Sequence, residues 1–159
     1  MNEKIKDFEY RILCSLRRII RSVDIYSNKL KSKYGLTTPQ LLCLQCVVEN
    51  DGSTLSQLTA NVNLSGSTIT GIVDRLESKG LLKRERSLVD RRKIFLHSTD
   101  TGKEVVAAAP SLLQDRLSEA LSELAENEQD IIAESLERVV KMMEAENVNA
   151  SPNLISGIQ

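Results

Sequence analysis

Ser65-Gly66-Ser67-Thr68-Ile69-Thr70-Gly71-Ile72-Val73-Asp74-Arg75-Leu76, continued by Glu77-Ser78-Lys79-Gly80 and Leu81-Leu82-Lys83-Arg84-Glu85-Arg86, is the stretch that decides the fold. Ile69, Ile72, Val73 and Leu76 recur at steps of three and four, the spacing that gathers apolar side chains on one face of a helix. Lys79-Gly80 is a C-terminal stop, because glycine takes the left-handed conformation that ends a helix. Beyond it the period changes. Residues 81–86 and 93–97 can extend as strands, joined by the polar turn Ser87-Leu88-Val89-Asp90-Arg91-Arg92. Upstream, Thr54 can cap a short helix carrying Leu55, Leu58, Thr59 and Val62, which Asn63-Leu64-Ser65 breaks. Two short helices, a tight turn and a hairpin make a winged helix-turn-helix.

Working outward, Thr37-Thr38-Pro39-Gln40 is a helix start with a hydroxyl cap and proline in the first turn, leading into Leu41, Leu42, Leu44, Val47 and Val48. Before it, Phe8, Ile12, Leu16, Ile19/Ile20, Val23, Tyr26 and Leu30 draw one stripe along a helix of about eight turns that Gly35 ends. After the hairpin, Thr99 or Asp100 opens a helix that Pro110 should kink or split. A last helix follows Ala125-Glu126-Asn127-Glu128 and carries Ile131, Ile132, Leu136, Val139, Val140 and Met143. The expected class is mainly α with a small β-hairpin. It is one domain over residues 1–146, with the winged helix at about 37–98 and N- and C-terminal dimerisation helices at about 4–34 and 100–146. Residues 147–159 are poor in helix formers and are expected to form a disordered tail. The terminal stripes are too long for a small winged helix to cover, and a second copy of the chain is the economical partner.

Two Phe, three Tyr and no Trp leave the core to Leu, Ile and Val. No run of eighteen apolar residues is present, so a soluble, cytoplasmic protein with no membrane partner is expected. Cys14, Cys43 and Cys46 cannot all pair, and a single histidine leaves no zinc-finger set, so neither a metal nor a cofactor is indicated. Net charge is −1, but this is an average over opposites: residues 1–34 and 75–93 each carry +5, and residues 100–159 carry −8. A polyanion responds to local potential within a Debye length of ~8–10 Å, so a basic segment can bind one while an acidic segment faces elsewhere.

A helix entering the DNA major groove needs short side chains with donors and acceptors in its first turns, which Ser65, Ser67, Thr68 and Thr70 supply; Gly66 permits close backbone approach. Arg75 lies two turns beyond Thr68, near the same face. Lys83, Arg84, Arg86, Arg91, Arg92 and Lys93 then crowd a narrow protrusion suited to a minor groove, where a guanidinium fits better than a hydrated ammonium. Asp90 is useful beside phosphate only if it orients an arginine. The expected DNA contacts are Thr38, Ser65, Ser67, Thr68, Thr70, Arg75, Arg86, Asp90, Arg91, Arg92 and Lys93, on a pseudo-palindromic operator bound by a homodimer. The plain alternatives are a solvated helix cap and charged turn, or a winged helix that meets a protein partner. An enzyme is excluded: His97 is the only histidine and lies in the hairpin, with no nucleophile motif or phosphate loop.

These pieces carry a family resemblance. Gly35-Leu36-Thr37-Thr38-Pro39-Gln40, Leu55-Ser56-Gln57-Leu58, Ser67-Thr68-Ile69-Thr70, Val73-Asp74-Arg75-Leu76, Lys79-Gly80-Leu81 and Asp90-Arg91-Arg92 resemble, in order and spacing, a MarR-type winged-helix regulator over about residues 5–145. The resemblance implies a dimeric transcriptional regulator, usually a repressor, whose wing motif Asp-x-Arg maps to Asp90 and Arg92. The chain departs from the family pattern at Ser98-Thr99-Asp100-Thr101-Gly102, where Leu-Thr usually precedes the glycine. Members respond to small molecules or through a cysteine. Cys14 falls close to the reactive position of the peroxide-sensing branch, although the tyrosine that branch places before the proline is missing here. Leu16-Arg17-Arg18-Ile19-Ile20-Arg21-Ser22-Val23-Asp24 with Ser27-Asn28-Lys29-Leu30 is similar to the branch controlling ectoine and other compatible-solute genes. That likeness implies an osmolyte effector, its cationic end on the ring of Tyr26 or Tyr34.

Overall fold

The computed structural model describes residues 3–143, so the expected tail at 147–159 lies outside the described residues. Seven helices and three strands follow one another as α1 (Glu3–Tyr34), α2 (Thr38–Glu49), β1 (Ser53–Thr54), α3 (Leu55–Val62), α4 (Gly66–Ser78), β2 (Leu82–Arg86), β3 (Ile94–Ser98), α5 (Asp100–Ala108), α6 (Leu113–Ser122) and α7 (Glu126–Met142). The described chain divides into two compact units, residues 3–109 and 110–143. The division falls at Pro110, which separates α5 from α6 as its missing N–H and fixed φ require.

In the first unit α2 is the central element and touches α3, α4, α5 and β3. It is buried nearly all round, with Cys43, Leu44 and Val47 lacking solvent contact and Leu41 almost so, and such a helix sits inside a core. Its first turn is held by the Thr37 amide donating to Gln40 Oε1 at 3.1 Å. Leu58 and Val62 of α3, Ile69, Ile72, Val73 and Leu76 of α4, and Leu81, Leu82 and Leu96 complete the core. Gly35 (φ +64°) ends α1, and Asn63 ends α3 in the left-handed region (φ 56°), which asparagine tolerates better than most residues.

The hairpin is where the sequence places it, with Leu82 opposite Ser98 and Arg86 opposite Ile94. A third strand joins it: β1 pairs antiparallel with β3, Ser53 opposite Leu96 and Thr54 opposite Phe95, giving the order β1-β3-β2. Asp51 fastens this edge. Its Oδ1 accepts from the Ser98 amide at 2.9 Å and the Ser98 hydroxyl at 3.1 Å, and its Oδ2 lies 3.0 Å from His97 Nδ1. The far ring nitrogen of His97 is 3.8 Å from Glu85 of β2.

Gly102 is a glycine because no side chain fits there. A Cβ there would lie 2.0 Å from the Leu81 carbonyl oxygen, a backbone atom that cannot move aside. The first turn of α5 therefore rests directly on the start of the hairpin. Thr99 secures the same contact, its hydroxyl donating to the Gly80 carbonyl at 2.7 Å and accepting from the Gly102 amide at 3.0 Å.

The second unit, α6 and α7, contains no fully buried side chain on either helix. Leu117, Ile131, Ile132, Leu136 and Val140 are all exposed.

The bonds from His97 and then the Ser98 amide hold the Asp51 carboxyl at about 2, against an ordinary 3.8. A folded value below the unfolded one means that stability from this group is complete above about pH 4 and is lost as pH falls toward 2. Asp51→Asn should lower the unfolding midpoint at neutral pH and flatten the acid limb of the stability curve. Urea titrations from pH 7 to 2 measure both, and an acid limb identical to the parent's would rule the clamp out.

Candidate nucleic-acid interface

The buried residues of α4 occupy one side of the helix, which turns Ser67, Gly71, Asp74 and Ser78 outward, flanked by Thr70 on one side and by Thr68 and Arg75 on the other. Ser65 is the N-cap. Its Oγ accepts from the Thr68 amide at 3.3 Å and lies 3.2 Å from Ser67 Oγ and 2.7 Å from Thr68 Oγ1. Three hydroxyls thus meet at the point where the helix's unsatisfied amides and positive dipole end emerge, a combination that receives an anion. The Thr70 hydroxyl donates back to the Gly66 carbonyl at 2.9 Å. A methyl group added at Gly66 or Gly71 would meet nothing within 4 Å, and neither glycine has positive φ. The fold does not require them. Their effect is to keep the outward face of α4 low, as close approach to base edges demands.

Asp74 sits in the middle of this face, where a carboxylate would repel phosphate. Arg84 of β2 answers it: its guanidinium donates to Asp74 Oδ1 at 2.6 Å and to Glu77 Oε2, and its backbone amide donates to Glu77 Oε1 at 3.1 Å. Of the six cations in the protrusion, Arg84 is thus an internal brace. Sequence reasoning missed this role, although two carboxylates at i and i+3 opposite a strand arginine were a visible signal.

Arg86, Arg91, Arg92 and Lys93 are exposed on the hairpin, together with Lys83. Asp90 orders this turn differently from expectation. Its Oδ1 accepts from the Arg92 backbone amide at 3.1 Å, and it makes no ion pair with an arginine side chain among the described residues. The carboxylate shapes the backbone that presents Arg92 and leaves the guanidinium free, because a two-residue separation favours the side-chain-to-amide ring over a head-to-head pair. The Ser87 hydroxyl accepts from the Val89 and Asp90 amides, and the Ser87 amide donates to the Lys93 carbonyl at 3.0 Å.

Thr38 does not share the surface. It is 5% exposed, and its Oγ1 lies 3.3 Å from Ser27 Oγ of α1, so it serves packing between α1 and α2. The two candidate ligand tyrosines do not form an open cage: Tyr26 is buried, the Tyr34 hydroxyl donates to the Ala108 carbonyl at 2.6 Å, and the Lys33 ammonium lies over the Tyr34 ring at 5.4 Å. Cys14 is half-buried on α1, and its hydrogen bond with Tyr10 raises the phenol above its usual range. Cys43 and Cys46 are buried; loss of hydration, then the neighbouring Cys46, pushes the Cys43 thiol up to about 12, which leaves it unreactive.

Residues 36–94 match the model of the MarR family. The HTH-type transcriptional regulator MgrA of Staphylococcus aureus is 36% identical over 119 residues, 67% of this chain and 81% of that protein. Among solved structures, the PcaV transcriptional regulator from Streptomyces coelicolor in complex with its natural ligand is 28% identical, with a TM-score of 0.57 over 79% of this chain and 89% of that one. Reduced AbfR bound to DNA is 29% identical, with a TM-score of 0.52 over 91% and 99%.

If Arg84 acts by holding the hairpin to α4, Arg84→Ala should weaken DNA binding about tenfold while leaving the salt dependence of affinity unchanged, since no phosphate contact is removed. Arg84→Lys should restore little, because an ammonium cannot fork between Asp74 and Glu77. Fluorescence anisotropy over a salt series decides it; a slope shallower by about one unit would make Arg84 a phosphate contact instead.

Proposed function

Because the chain belongs to the MarR family, we propose that it is a sequence-specific DNA-binding transcriptional regulator that acts as a homodimer on a pseudo-palindromic operator. The observation that carries this reading is the continuous surface on the first unit made by the hydroxyl-rich start of α4, the low face at Gly66 and Gly71, and the exposed cations of the wing. Ser65, Ser67, Thr68, Thr70 and Arg75 enter the major groove, the hydroxyls and guanidinium meeting base edges and the nearest phosphates. Arg92, on the backbone turn that Asp90 shapes, enters the adjacent minor groove, with Arg86, Arg91 and Lys93 along the phosphates. Repression follows from occupying a promoter.

The dimer is supported by apolar area that a single chain leaves in water. Phe8, Ile12 and Ile19 of α1 and Leu117, Ile131 and Leu136 of the second unit are about half exposed, and burying what remains is worth about 1 kcal/mol for each. A second copy covers them at no cost in new sequence. The complex of PcaV with its natural ligand supports a small molecule as effector. An ectoine- or betaine-like ligand on Tyr34 would first have to displace Lys33 from the ring, and the regulator reading does not depend on that ligand.

A second reading of the effector has its own observation. Cys14 is the most exposed of the three cysteines and lies beside the Tyr10 hydroxyl; on this reading peroxide, rather than a bound molecule, would release DNA. In that case Cys14→Ser should bind operator normally and ignore peroxide in a mobility-shift assay. Equal release of parent and variant would exclude Cys14.

For the interface itself, a duplex selected from a random pool serves as the probe. Arg92→Ala should weaken binding about ten- to a hundredfold at moderate salt and make the salt slope shallower by about one unit. Unchanged affinity would take the wing out of the groove, and an affinity of the parent that ignores salt would favour a protein partner.

A further inference from the structure

Leu88 and Val89 stand at the apex of the hairpin, each 99% exposed, between Arg86 on one side and Arg91, Arg92 and Lys93 on the other. Residues at a turn apex are ordinarily Gly, Asn, Asp or Ser, whose side chains accept water or close the turn. Here the closing is done by neighbours. The Ser87 hydroxyl takes the Val89 and Asp90 amides, the Asp90 carboxylate takes the Arg92 amide, and the Lys93 amide donates to the Asp90 carbonyl at 2.9 Å. With the Val89, Asp90, Arg92 and Lys93 amides bonded within the turn, the two branched side chains take no part in closing it and stand in solvent.

We propose that Leu88 and Val89 form an apolar wedge that enters the minor groove at a base step beneath the wing and partly unstacks it. This rests on the reading of the wing as a minor-groove element. The surrounding charge selects the occupant: an apolar pair ringed by four exposed cations suits a polyanion with an apolar interior, which is what a base stack behind its phosphates presents. An apolar side chain finds no hydrogen-bond code to read, so the wedge discriminates by deformability, favouring a flexible pyrimidine–purine step such as TA over stiffer steps. Specificity then arises at a position where the protein makes no hydrogen bond to a base.

The test uses the full-length protein and the duplex taken from a random pool. Footprinting locates the step beneath the wing, which is then set to TA or to a GC-rich step, with 2-aminopurine placed beside it to report unstacking. The parent should prefer the TA duplex by roughly tenfold and raise the 2-aminopurine fluorescence. Leu88→Ser/Val89→Ser should keep its unfolding midpoint and salt slope, lose most of that preference and leave the fluorescence flat. If the double variant binds and discriminates as the parent does while Arg92→Ala weakens binding, the wedge is overturned and the wing stands. If neither variant affects binding, the wing assignment itself has failed and the wedge with it. A double variant that binds DNA normally but changes oligomeric state in sedimentation marks the tip as a protein contact, which also overturns the wedge.

Discussion

Arg84 fixes the wing against the outward face of α4, beyond what the shared core beneath them already sets. A helix that reads one groove and a hairpin that reaches the next must hold a fixed separation, or each must be ordered anew on binding, at a cost of about 0.5–1.5 kcal/mol for every mobile side chain and more for the loop. The guanidinium, forked between Asp74 and Glu77 and backed by its own amide on Glu77, makes α4 and the hairpin one body before any partner arrives. The same fork removes the negative charge that Asp74 would otherwise place in the middle of the approach face.

A second constraint is hydrophobic. The first unit closes a core around α2, whereas α6 and α7 bury no side chain completely. Helices of this length gain most of their stability from tertiary packing of their apolar face. The division of labour follows from that difference: the closed core of the first unit carries the groove-facing surface, and α6, α7 and the uncovered stripe of α1 are expected to bind a copy of the chain.

Most of this architecture was legible because it is local. Steps of three and four located the helical segments, Gly35 and Lys79-Gly80 predicted two stops, and Pro110, expected to kink or split one helix, separates α5 from α6. What escaped was made by distance or by brevity. A two-residue strand such as β1 has no period to detect and exists only because β3 offers it a ladder edge. Thr38 carries the composition of a surface cap, yet α1 covers it, which no pattern within α2 announces. Asp90 was expected to orient an arginine; its partner is the backbone amide of Arg92 and not a side chain. A turn read as polar from its flanks has two aliphatic residues at its apex.

The Asp51 clamp also spans the longest stretch of chain that the sheet has to close. β2 and β3 are neighbours in sequence and can zip as a hairpin within microseconds, from the turn that Ser87 and Asp90 close. β1 belongs to the far side of the helix-turn-helix, and Asp51 meets Ser98 across 47 residues. Closing that loop costs more chain entropy than closing the hairpin, and α3 and α4, by compacting the intervening chain, lower the cost. The three-stranded sheet thus joins a local pairing to a long-range one: the hairpin closes within its own segment, and the strand that fixes it to the helices comes from the other side of α3 and α4.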